Sequence, residues 1–196
     1  MINEAHSDNR NLEEATDRRQ IFYVVSIKKF AVLYVATLGL YGFYWFYKNW
    51  ACYKHQWAAH DEGREDLWPI ARAFFAVFFV HSLFREVKAL GRDKPAVAEW
   101  GNGKHATQLV VLLIAAQAMD RLAYRDIGTP YTDALSLVIL APLLLLYTIA
   151  QEMINISCND PRGHSNNHFT KANYAWIVVG AIFWCLALLN YILPDA

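Results

Sequence analysis

The chain has 196 residues, 56% of them hydrophobic and 15% aromatic, with 18 basic and 18 acidic side chains. A formal net charge of zero excludes a partner recruited by bulk charge, and nucleic acid is not expected. The charges are confined to the N-terminal tail and to short intervals, and the uncharged stretches between them are too long for core strands.

Residues 1–20 are rich in Asn, Asp, Glu and Arg and hold no hydrophobic block, which predicts a solvated, disordered tail. Residues 21–196 then form a single transmembrane helical domain. No basic start followed at once by an apolar run and a small-residue cleavage site is present, so the first hydrophobic helix is expected to act as an uncleaved signal-anchor.

The first apolar stretch, residues 30–47, reads FAVLYVATLGLYGFYWFY without a charge. A helix of about 20 residues spans roughly 30 Å of hydrocarbon, so this stretch predicts a first crossing. Its aromatic second half suits a membrane interface. In the following segment, about 48–60, Trp50, Tyr53 and Trp57 recur at spacings of three and four. They predict an interfacial helix anchored by one aromatic face, in preference to an aromatic cage for a cation.

Residues 68–84 form the second predicted crossing, with Pro69 in the first turn and Arg72 and His81 interrupting an apolar run. The third, about 105–124, is uncharged only as far as Met119, so a full crossing needs Asp120 and Arg121 at the interface. A re-entrant or interfacial helix there would leave four crossings. The fourth, about 131–151, carries Pro142 near its middle and should bend there. The fifth, about 173–193, is free of charge.

These elements predict an all-α fold, a polytopic membrane helix bundle of five transmembrane helices. A soluble bundle is disfavoured, because burying five such helices on all sides requires a larger protein around them. A β-barrel is disfavoured because the segments are continuously apolar. With five crossings, twelve Lys and Arg fall on the side of the N-terminus and five on the other. The positive-inside rule then gives a cytoplasmic N-terminus and an external C-terminus. Cys52, Cys158 and Cys185 would lie outside, inside and within the membrane, which predicts three free thiols.

The phrases FYVVSIKKF and TLGLYGFYWFYKNW, followed by WPIARAFF, HSLF, QEMIN and FTKANY, resemble a family of uncharacterised bacterial inner-membrane proteins with an aromatic-rich first transmembrane segment. The resemblance covers most of the chain from Phe22 onward. It implies a multi-pass protein of the bacterial cytoplasmic membrane, and it supplies no reaction, cofactor or functional residue.

No GxSxG, Gly-rich phosphate loop or HExxH occurs, and GNGKH at 101–105 lacks phosphate-loop spacing. Cys158, Asp160, His164 and His168 share one polar interval, but Pro161 and Gly163 oppose the helix that would bring both histidines to one metal. Catalytic residues, metal and cofactor are therefore not expected. Arg72, about one turn inside the second segment, is expected either to pair with Asp120 or Asp133 at the same outer depth or to reach the phosphate headgroups. Two functional classes fit this pattern. One is a non-enzymatic membrane component that assembles with itself or another membrane protein, with Ala36, Gly39 and Gly42 allowing close approach. The other is a small-solute transporter or channel formed by oligomers, with Arg72, His81, Gln108, Gln117 and Gln151 facing an interior.

Overall fold

A computed structural model describes residues 21–58 and 67–192, and the fold is all-α, with no strand among the described residues. The helices are α1 (Ile27–Ala36), α2 (Leu40–Ala58), α3 (Pro69–Phe74), α4 (Ala76–Leu90), α5 (Pro95–Glu99), α6 (Asn102–Tyr124), α7 (Tyr131–Val138), α8 (Leu140–Ser157) and α9 (Lys171–Ile192). A single 3-10 turn, His164–Asn166, sits between α8 and α9.

The uncharged run 30–47 does not form one helix. Ser26 caps α1, accepting from the Lys29 amide, and α1 stops at Ala36, where Leu38 and Gly39 take positive φ values of 50° and 84°. A Cβ-free residue adopts that conformation without strain, and Gly39 supplies it. The Gly39 amide donates back to Tyr34 O at 2.9 Å, and the chain reverses. Phe30 then faces Tyr41 at 5.7 Å and Trp45 at 6.2 Å between ring centroids, while Phe22 stacks on Tyr53 at 5.5 Å. Residues ever farther from the turn meet each other across it, which defines a helical hairpin. At 1.5 Å per residue the ten residues of α1 reach only about 15 Å, half of a hydrocarbon core.

The other expected segments are modified less. Residues 68–84 are divided at Phe75 (φ −98°, ψ 36°), which separates α3 from α4. The fourth segment is interrupted at Ile139, between α7 and α8. Pro142 has no N–H to offer the carbonyl of Val138, so the ladder is interrupted one turn before the proline. Among the described residues, two helices are long and apolar enough to cross a membrane, Asn102–Tyr124 and Tyr131–Ser157; α9 contributes a shorter apolar stretch, Lys171–Ala187. Five spanning helices are not established by these lengths.

α6 and the α7–α8 unit pack antiparallel, joined by the turn between Tyr124 and Tyr131. α9 lies along α1, with Trp184 Nε1 donating to Val35 O at 3.0 Å. There Gly180 allows backbone contact: a Cβ on it would stand 1.9 Å from Ala36 O. The core is concentrated at one end of the bundle, where Phe22, Val25, Trp45, Val87, Ile154 and Cys158 are all buried. Toward the other end the apolar residues are exposed, among them Phe78, Ile114, Val138 and Ile182.

Candidate functional site

At the packed end, residues 22–26 run extended between α2, α8 and the loop before α9. An extended segment outside a sheet has no ladder to satisfy its amides and carbonyls, and each buried orphan costs about 1–3 kcal/mol. Side-chain amides take the place of the ladder. Asn155 Nδ2 donates to Val25 O at 2.9 Å, and its Oδ1 accepts from the Val25 amide at 3.4 Å. Gln151, one turn earlier on α8, donates to Tyr23 O at 3.1 Å and to Asn155 Oδ1 at 2.7 Å, and its Oε1 accepts from the Trp45 indole. Asn49 accepts from the Tyr23 amide at 3.2 Å, and Asn166 donates to Val24 O at 3.0 Å. Gln151, Asn49 and Asn155 are fully buried.

Lys29 closes this network. Its side chain is 2% exposed, and Nζ donates to Asn166 Oδ1 at 2.6 Å and to His168 O at 2.7 Å. Both acceptors are neutral. In the same loop Asp160 accepts from the amides of His164 and Ser165, each at 2.9 Å. Partial burial pushes its carboxyl up, but these amides and the neighbouring His164 imidazole outweigh it and hold the group below the usual carboxylate range.

The second feature is α3, whose polarity is inverted. Trp68, Ile70, Phe74, Phe75 and Phe78 are all exposed, from 59% to 76%. Arg72, from the same turns, lies inward, its guanidinium carbon 4.1 Å from the Trp50 ring and 4.8 Å from the Phe79 ring. A helix in water turns its aromatics in and its arginine out. An exposed aromatic surface of this size marks an apolar partner or solvent.

The sequence-derived residues are redistributed accordingly. Trp50 and Tyr53 were expected at the bilayer surface, yet they are 1% and 4% exposed. Phe22 covers Tyr53, Arg72 covers Trp50, and the Tyr53 hydroxyl donates to Glu86 at 2.9 Å. The expected interfacial helix is the second half of α2, continuous with residues 40–47. Of Trp57, the third expected anchor, the side chain lies outside the described part. Asp120 is exposed near the end of α6, and Asp133 is half-buried in the first turn of α7. Among the described residues no ion pair joins either of them to Arg72, which instead stacks on rings from α2 and α4.

His81 bonds Thr107 at 3.2 Å, and Gln151 is bound into the strap network rather than lining an open path. Cys52, Cys158 and Cys185 are free. Among the described residues no group of three or more His, Cys, Asp or Glu could hold a metal ion. The Gln151–Asn155 pair was missed at the sequence level, although two amides one turn apart on an apolar helix are a readable signal of a buried polar contact. Searches against family models, curated proteins and solved structures return no match for this chain.

Proposed function

We propose that this chain is an integral, non-enzymatic component of a bacterial cytoplasmic membrane, related to the uncharacterised inner-membrane family it resembles, and that it acts by assembling with other membrane helices. The observation that carries the membrane reading is the inversion of α3, with aromatics outward and Arg72 inward. The belt of exposed apolar residues on α6, α7 and α9 supports it, and lipid is the solvent that suits such a surface.

Within that reading, α6, the α7–α8 unit and α9 cross the bilayer, while the α1–α2 hairpin enters and leaves by one face, and α3–α4 likewise. The hairpin turn meets α9 at Gly180, nine residues and about 14 Å from Lys171, close to mid-membrane depth. Non-helical backbone is tolerated there only when protein groups satisfy it. Thr37 Oγ1 donates to Leu33 O at 2.8 Å and accepts from the Tyr41 amide at 3.0 Å, and Trp184 serves Val35 O. Three crossings also sharpen the charge bias. Among the described residues, Lys28, Lys29, Lys48, Lys54, Arg85, Lys88, Arg92, Lys94, Lys104, Arg162 and Lys171 fall at the packed end, against Arg121 and Arg125 opposite. Five crossings would have moved Lys48 and Lys54 across. The rule that positive loops stay inside makes the packed end cytoplasmic and the C-terminal side external.

Assembly is supported by α6, which exposes Val111, Ile114 and Ala118 as one stripe flanked by exposed Gln108 and Gln117. Amides facing hydrocarbon favour hydrogen bonding to a neighbouring helix. A reporter fused after Ala58 should be active on the same side as one fused at Gly91, and opposite to one at Gly128. Opposite sides for Ala58 and Gly91 would restore the five-crossing arrangement. Mass measurement of the solubilised protein should give an assembly that Gln108→Leu with Gln117→Leu dissociates. Selective solute flux in liposomes from the pure protein would replace this reading with that of a transporter.

A further inference from the structure

The face of α2 that carries Lys48, Ala51, Cys52 and His55 looks across a cleft toward the 165–166 turn. Their spacings of three, four and seven place them on one side of the helix. The cleft has a volume of about 460 Å³, and Phe22, Tyr23, Val24, Ser165 and Asn166 complete its wall. That volume suits a small ligand rather than isolated water. Among the described lining residues the ionisable side chains are Lys48, His55, Cys52 and Tyr23, with no carboxylate.

Two ammonium groups stand around this cleft with no ion pair to a carboxylate among the described residues. Lys48 Nζ lies over the Tyr23 ring, 5.7 Å from its centroid. Lys29, 2% exposed, sits behind the wall and donates to Asn166, itself a lining residue. The ion pairs among the described residues include Arg85–Glu86 and Lys94–Asp93, and neither Lys48 nor Lys29 takes part in them. The neighbouring carboxylate, Asp160, has both oxygens bound by the His164 and Ser165 amides. A buried cation held only by neutral acceptors is unfavourable unless an anion offsets it nearby.

We propose that this cleft binds a phosphate group, with Lys48 and His55 as direct contacts and Lys29 as the charge behind the wall. Lysine ammonium is a common point-charge partner of phosphate. The group comes either from an anionic lipid whose headgroup reaches the packed end or from a soluble phosphate compound; the binding chemistry is shared.

Cys52 reports on occupancy, because it lines the cleft and is half-buried. The full-length protein in a neutral detergent is alkylated with N-ethylmaleimide, and modification of Cys52 is followed by mass spectrometry with an added water-soluble cysteine peptide as reference. Inorganic phosphate is titrated in one arm. In the other, nanodiscs of phosphatidylglycerol are compared with nanodiscs of phosphatidylcholine. Slower alkylation of Cys52 with inorganic phosphate assigns a soluble ligand; slowing with phosphatidylglycerol alone assigns a headgroup. In either case Lys48→Gln should weaken protection about tenfold, as expected for loss of one charge-assisted contact, and His55→Gln should weaken it in the same direction. Lys171→Gln, at the same end but outside the cleft, should leave it unchanged. Absence of protection by both probes in the unmutated protein overturns the proposal. So does protection that survives both cleft substitutions, or that Lys171→Gln reduces equally.

Discussion

Gly180→Ala should detach α9 from the α1–α2 turn. The new Cβ would lie 1.9 Å from Ala36 O, 2.7 Å from Ala36 C and 3.0 Å from Thr37 Cα. All three are backbone atoms and cannot rotate away. Ordinary contact requires about 3.4–4.0 Å, so α9 must retreat by about 1.5 Å. The Trp184–Val35 bond, now 3.0 Å, would stretch beyond hydrogen-bonding range. Overpacking costs about 1–3 kcal/mol and the lost bond about 0.5–1.5 kcal/mol more. The sum, roughly 2–4 kcal/mol, corresponds to a fall in thermal midpoint of about 5–15 °C for a chain of this length. Thermal unfolding in detergent, followed by tryptophan fluorescence, measures it. Gly103→Ala is the control: nothing lies within 4 Å of a Cβ there, and alanine in a helix gains up to about 1 kcal/mol over glycine. A Gly180→Ala protein as stable as the unmutated one would refute the close packing of α9 on the turn.

Asn155→Leu should cost about 2–5 kcal/mol, because it strands both the amide and the carbonyl of Val25. Gln151→Leu should cost a similar amount, since it too strands two groups, the Tyr23 carbonyl and the Trp45 indole; hydrogen exchange of residues 22–26 should rise in both, and unchanged exchange would count against the packing of this segment. Asp160 has a depressed folded-state pKa, so its contribution is fully present above the unfolded value of about 3.9 and is lost as pH falls through the lower folded value. Amide exchange at His164 and Ser165 should accelerate only in that acid window, and Asp160→Asn should accelerate it at neutral pH. Arg72→Leu should shift the emission of Trp50 by removing the cation 4.1 Å above its ring; an unchanged spectrum would place the guanidinium elsewhere.

The all-α class was readable from unbroken apolar runs, and Pro142 foretold the interruption at Ile139. The hairpin at residues 37–39 was hidden because hydropathy counts charge and length, and a fold-back inside an apolar run changes neither. Its local signals were Thr37, which can cap both flanking helices, and Gly39, which can take a positive φ. Trp50 and Tyr53 misled for a related reason: aromatics beside lysines compose a bilayer interface and a protein core equally well. Burial of these two residues depended on Phe22 and Arg72, which lie far from them in sequence.

The hairpin also explains why the side chains that bond residues 22–26 are uncharged amides. Folding α1 back on α2 returns the chain to the packed end and draws residues 22–26 in among α2 and α8. Each of those residues brings an amide and a carbonyl that need partners but carries no charge. Asn and Gln answer both, having a donor and an acceptor on one side chain, whereas a carboxylate could serve only the amides and a lysine only the carbonyls. Lys29 is the exception, and it stands where the strap ends and the helix begins. Replacing it with Met should therefore separate two roles. If Lys29 only holds Asn166 and His168, Lys29→Met destabilises the protein equally with and without inorganic phosphate. If its charge also serves the cleft, the substitution abolishes the rise in thermal midpoint that phosphate gives the unmutated protein, an effect that follows from binding to the folded state alone.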